Sequence, residues 1–208
     1  MNQRIDPTLV LASASPRRQE LLRNAAIPFT VYPANVPEIR LPGEAPRAFA
    51  ERLAREKASE VRERLRSKEQ CPAAVLGADT IVVVGDEVLG KPGEVNDALR
   101  MLRLLSGRTH EVLTAVCLLG LRPGGNGVQH DSFQDVRSET TRVTFDKLTE
   151  QEIRDYVATG EPMDKAGAYA IQGMASRWVT RLEGDYSNVV GLPVRLVYCM
   201  LRDAGMNL

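Results

Sequence analysis

The chain has 208 residues, 43% apolar and 26% charged, which is an ordinary globular composition and enough length for one domain spanning residues 1–208 to bury a sizeable core. Lysine plus arginine balances aspartate plus glutamate at 27 each, and aromatic residues are only 5%. Zero net charge with few rings argues against a nucleic-acid or membrane-surface partner, so any anion site has to be local. The three cysteines, Cys71, Cys117 and Cys199, are odd in number and widely spaced, and suggest neither a disulfide framework nor a zinc knuckle. Two histidines, His110 and His130, are too few for a histidine-based metal site. No signal pattern and no membrane-length apolar run are visible, and the expectation is a soluble cytoplasmic protein.

In chain order, Leu9, Val10 and Leu11 read as a first strand. A helix follows, with Ser15 as N-cap, Pro16 at its first position and Leu21, Leu22, Ala25 and Ala26 on one face. Arg17 and Arg18 fall in its first turn, where the macrodipole makes a cation cost about 0.3–1 kcal/mol. Read locally, this is either a plain capped surface helix or an anion site at a helix N-terminus.

Residues 29–33 read as a second strand and 35–46 as a proline-rich loop holding Glu38. A helix is predicted over 46–67, with Phe49, Leu53, Val61 and Leu65 on its apolar stripe. Lys57 fills the gap in that series, so its ammonium either snorkels to the surface or points into a cleft.

Residues 73–78 form a nearly continuous apolar run, predicted to be a buried strand that ends in Asp79 and Thr80. Residues 81–84, a turn at Gly85-Asp86 and a return through 88–92 make a hairpin. A helix over 97–105 follows, then a long strand over 111–121, an exposed turn at 123–127 and an antiparallel return over 133–145. Thr149 is predicted to cap a helix over 150–159 with Glu152 at the capping-box position. Residues 164–173 are small and polar, 178–182 read as a strand, 184–188 as loop and 194–203 as the last helix. Central hairpins forbid an all-parallel sheet, so the expected class is α/β with a mixed sheet and helices packed on it.

Asp79 is the sharpest single residue. A carboxylate after a buried apolar run is either a loop cap or a working group at a strand end. Arg17 and Arg18 on the first helix, Lys57 on the second and Lys91 after the hairpin could converge at one sheet end and would suit a triphosphate, with Glu38 and Asp79 holding a divalent metal. There is no P-loop glycine–lysine pattern, and a Ser-His-Asp triad is disfavoured by the histidine count.

The segment from Leu11 to Leu22 (LASASPRRQELL), Gly77-Ala78-Asp79-Thr80, Leu89-Gly90-Lys91-Pro92, residues 164–173 (DKAGAYAIQG) and residues 184–193 (GDYSNVVGLP) together resemble the motifs of the Maf family of nucleoside triphosphate pyrophosphatases, in the family's order and over nearly the whole chain. The resemblance implies an inosine-triphosphatase-like (Maf/Ham1) fold: an elongated mixed sheet flanked by helices, with a cleft between two lobes. It implies hydrolysis of a nucleoside triphosphate to monophosphate and pyrophosphate with Mg²⁺ or Mn²⁺, a house-cleaning role in the nucleotide pool. The family's proton acceptor matches Asp79, and its substrate-choice positions match Arg17, Thr80 and Gln172. Ser13, Arg18, Glu38, Lys57 and Lys91 match other cleft positions. The Ala-Tyr-Ala-Ile-Gln-Gly form resembles the subgroup acting on dTTP and UTP, whereas the 7-methyl-GTP subgroup more often carries a glutamate-containing version. Ala170 departs from the family where glycine is frequent. Gln172 has an amide suited to the O4/N3–H edge of uracil and thymine, or to capping its own loop. Homodimers are known in the family, and a non-catalytic nucleotide-binding regulator of cell division is the alternative class.

Overall fold

The computed structural model describes residues 6–68, 72–123 and 130–206. Cys71 and most of the glycine-rich turn expected at 123–127 lie outside them. The strands are β1 (Asp6–Leu11), β2 (Phe29–Val31), β3 (Pro72–Val84), β4 (Glu87–Leu89), β5 (Thr109–Pro123), β6 (His130–Phe145) and β7 (Val179–Glu183). They form one mixed sheet of order β2-β1-β3-β5-β6-β7, with β4 paired to β3. β1 runs parallel to β2 and β3, whereas β3–β4 and β6–β7 are antiparallel. The helices are α1 (Pro16–Asn24), α2 (Pro46–Arg66), α3 (Val95–Leu105), α4 (Glu150–Ala158), α5 (Tyr186–Val190) and α6 (Val194–Asp203). Among the described residues no helix is long and apolar enough to cross a membrane.

The chain forms two compact units. The first takes its described residues from 1–79, 115–138 and 191–208, and the second from 80–114 and 139–190. In the first unit, Leu9 and Leu11 of β1, Leu22 of α1, Leu76 of β3, Val116 and Leu118 of β5, and Val197 and Leu201 of α6 share one buried cluster. Helix α2 lies hard against β3 at Gly77, where a Cβ would meet the Ala54 carbonyl oxygen at 2.1 Å and the Ala58 nitrogen at 2.8 Å. Only glycine allows that approach. In the second unit the β3–β4 hairpin turns through Gly85 (φ +58°). Ala98, Met101, Leu102 and Leu105 of α3 are buried, as their helical spacing predicts. The capping box at Thr149 and Glu152 is formed as expected.

Four expectations change. The apolar runs at 73–78 and 81–84 join into one strand, so Asp79 lies in the middle of β3 rather than at a strand end. A buried carboxylate is tolerated there because a lysine meets it, as described below. Helix α1 stops at Asn24: Ala26 N–H bonds Arg23 O and Ile27 N–H bonds Leu22 O, a Schellman closure with Ala26 at φ +54° where glycine is usual. Ala25 and Ala26 are therefore exposed, and the inward face of α1 is Leu22 and Arg18. Ser15 occupies the N-cap position without a side-chain cap bond. Residues 186–188, expected as loop, are helical within α5, because Asp185 Oδ1 accepts from the Ser187 backbone N–H (2.7 Å) and hydroxyl (2.7 Å) and starts a short turn.

Candidate active site

Residues spaced four apart on α2, namely Phe49, Leu53, Lys57, Val61 and Leu65, are all buried. The stripe therefore carries Lys57 inward with its apolar neighbours, which decides against snorkelling. Its ammonium donates to Asp79 Oδ1 (2.6 Å) and to Glu38 Oε1 (2.5 Å). The Gly77 contact brings α2 close enough to β3 for this reach. Asp79 is 5% exposed and Lys57 8%, while the Glu38 side chain is 39% exposed on its loop.

Arg18 is the second buried cation. Its Nε donates to Gly191 O (2.8 Å), and its Nη1 to Ala78 O (3.0 Å) and Ser13 Oγ (3.1 Å). Ser13 Oγ also accepts from Ser15 N–H (3.3 Å). The arginine pair is thus divided. Arg18 braces the β1–α1 turn against β3 and the start of the 191–193 segment, and Arg17 is half-buried. The Ser15 backbone N–H is therefore held within the turn.

Electrostatics follow from burial. Desolvation pushes the Asp79 carboxyl above its ordinary value, opposed mainly by the Lys57 charge and hydrogen bond and also by Arg18. Desolvation lowers Arg18, opposed by Asp79 and Glu38. A guanidinium stays charged through such a shift, because its intrinsic pKa lies so far above neutral. The result is a compact set of two cations and two anions in which Asp79 is a better proton acceptor than a solvated aspartate. Among the described residues no group of three or more His, Cys, Asp or Glu converges. Glu38 and Asp79, which share the Lys57 ammonium, are the carboxylates that could hold a cation of the kind that takes one or two carboxylates and completes its shell with phosphate oxygens and water, as Mg²⁺ does.

The remaining candidates belong to the second unit. Thr80 Oγ1 lies 2.9 Å from Thr114 Oγ1, and Thr114 donates to Asn188 O (2.9 Å). Asn188 Nδ2 donates to Val112 O (2.9 Å) and Thr141 Oγ1 (3.0 Å). Thr114 and Asn188 are buried polar residues that sequence reasoning did not single out. The available signals were a lone hydroxyl inside an apolar strand and an asparagine inside the 184–193 motif. Lys91 is exposed after β4, and its neighbour Gly90 accepts from Gly167 N–H (3.0 Å). Gly167 (φ +68°) packs where a Cβ would meet Val82 Cγ2 at 2.9 Å, fixing the 164–173 segment on the hairpin. Ala170 does not adopt positive φ, so its methyl causes no backbone strain. Gln172 is exposed, and its turn is closed by backbone, Gly173 N–H to Ala170 O (3.0 Å), rather than by the side chain.

Comparison with known proteins gives a consistent result. A protein of Koribacter versatilis (strain Ellin345) named dTTP/UTP pyrophosphatase is 54% identical over 198 residues, covering 95% of both chains. One of the same name from Syntrophomonas wolfei is 49% identical over 95% of this chain and 98% of its own. A third, from Xanthomonas campestris, is 48% identical over 89% of this chain and 93% of its own. The family described as Maf-like protein matches residues 8–204. That span takes in every motif described above, and the chain belongs to the Maf-like protein family.

Proposed function

We propose that this chain hydrolyses nucleoside triphosphates, dTTP and UTP among them, to the monophosphate and pyrophosphate, and so removes unwanted nucleotides from the cytoplasmic pool. The observation that carries the reading is the Lys57 ammonium held between Asp79 and Glu38 in the interior of the first unit. Asp79 accepts the proton of the water that attacks the α-phosphorus. Burial supports this role by raising its carboxyl from a range in which aspartate is a poor base. Lys57 favours the ionised form of Asp79 and holds it in one orientation. Arg18 keeps the β1–α1 turn in place, and Arg17, at the first turn of α1, is the arginine offered to the phosphates. Lys91 supplies a further positive charge. Asp79 and Glu38 would hold the divalent cation, which when bound neutralises phosphate charge and acidifies water.

Pyrimidine preference is assigned to Arg17, Thr80 and Gln172, supported by the names of the relatives and by the exposed amide of Gln172. The test is pyrophosphate release across a panel of canonical and modified nucleotides, with Asp79→Asn alongside. The expected result is turnover of dTTP and UTP and its loss in the variant, with nucleotide binding retained. Near-normal turnover by Asp79→Asn removes Asp79 as base, and preference for GTP derivatives removes the pyrimidine assignment.

A further inference from the structure

The turn that carries Gln172 is fastened on both sides to one pair of residues. Ahead of it, Ala170 N–H donates to Tyr156 Oη (3.1 Å). Behind it, Gly173 lies against Glu161, so that a Cβ would meet Glu161 Oε1 at 2.1 Å, and Met174 N–H faces Glu161 Oε2 at 3.5 Å. The two anchors are themselves joined, since Tyr156 Oη donates to Glu161 Oε1 (2.8 Å). A phenol has one proton, so Tyr156 is fixed as donor to the carboxylate and acceptor from the turn.

Both anchors stand on firm structure. Tyr156 lies on α4 with its side chain fully buried, edge-on to Trp178 with ring centroids 5.1 Å apart. Glu161 follows α4 in a 3-10 turn, where Lys165 Nζ holds its carbonyl oxygen (3.0 Å). Within the suspended turn Ile171 points inward and is buried, whereas Gln172 points outward. A buried hydroxyl and a carboxylate are thus committed to the backbone of a turn whose outward polar side chain is Gln172.

We propose that Tyr156 and Glu161 are positioning residues that hold Gln172 in the pose from which its amide meets the pyrimidine base. This rests on the reading of Gln172 as a base contact. Tyr156→Phe keeps the ring and removes the hydroxyl, and Glu161→Ala breaks the same anchor from its other end should the first variant fold poorly. For either, KM for dTTP is expected to rise about tenfold, or about 1.4 kcal/mol, with kcat within about twofold of the parent, the pattern of lost uniform binding. Glu161→Gln, whose amide oxygen still accepts from Tyr156, is expected to recover most of the loss. In a Gln172→Ala background, Tyr156→Phe is expected to add nothing further. If Gln172→Ala leaves KM for dTTP unchanged, the base-contact reading falls and takes this inference with it. If Gln172→Ala raises KM while Tyr156→Phe and Glu161→Ala do not, or if their effects persist in full without Gln172, the base contact stands and the positioning role is overturned.

Discussion

Replacing Lys57 by methionine removes one charge and little volume from the interior, and the structure sets both the size and the pH dependence of the consequence. Two carboxylates lose their common partner, but unequally. Glu38 is more than a third exposed, and water replaces most of what the ammonium gave it, so its share is under about 1 kcal/mol. Asp79 is buried, and leaving its charge uncompensated costs about 3–5 kcal/mol, a large part of a typical domain's stability. The sign follows from linkage. Burial already raises the folded pKa of Asp79, and Lys57 is the main influence holding it down. Without Lys57 that pKa climbs further above the unfolded value. A group raised on folding adds stability below its unfolded pKa and loses it as pH rises through the folded one. The deficit of Lys57→Met relative to the parent should therefore be small near pH 4.5 and reach about 3–5 kcal/mol at pH 7.5. Urea unfolding at the two pH values measures it. Adding Asp79→Asn should recover all but about 1 kcal/mol, because no buried charge is then left without a partner. A deficit below about 1 kcal/mol at pH 7.5, or one equally large at both pH values, would refute this account of the pair.

Gly77→Ala should destabilise the protein by about 3 kcal/mol, since the new methyl meets the backbone of α2, which cannot rotate aside, and thermal melts would register the loss. His110 is buried with its Nε2 against Tyr169 Oη (2.8 Å), and burial pushes its pKa down to about 4. Its contribution is full above the unfolded pKa and is lost as pH falls through about 4. Stability should therefore drop between pH 7 and pH 4, and His110→Gln should flatten that part of the profile in urea titrations. Cys117 is fully buried and its thiol is pushed up to about 12, so a thiol reagent at pH 8 should modify Cys199 in the native protein and reach Cys117 only on unfolding.

Much of the fold was legible from local patterns. The α6 boundaries, the capping box at Thr149, the hairpin at Gly85-Asp86 and the apolar faces of α2 and α3 follow from side-chain periodicity and turn chemistry, which act within a few residues. The quoted motifs hold Ser13, Arg17, Arg18, Asp79, Thr80, Lys91 and Gln172 in the family's order, whereas Glu38 and Lys57 lie outside them. The structure departs from local expectation where a local signal is missing or misleading. Ala26 closes α1 in a conformation that usually announces itself with glycine. Asp79 looked like a strand end because a carboxylate rarely sits inside a buried strand.

Which of the charged residues meet one another emerges from packing. Residue spacing alone puts Lys57 on an apolar stripe and has Asp79 interrupt an apolar run, and each of these has a bland explanation when taken singly. Their pairing depends on α2 meeting β3 at Gly77, a contact between residues far apart in the chain. The adjacent Arg17 and Arg18 were equivalent as letters, yet Arg18 turns inward to Ser13, Ala78 and Gly191 while Arg17 stays half-buried. Burial set that difference. A charge withdrawn from water must find partners, and where those partners lie is fixed by packing rather than by spacing along the chain.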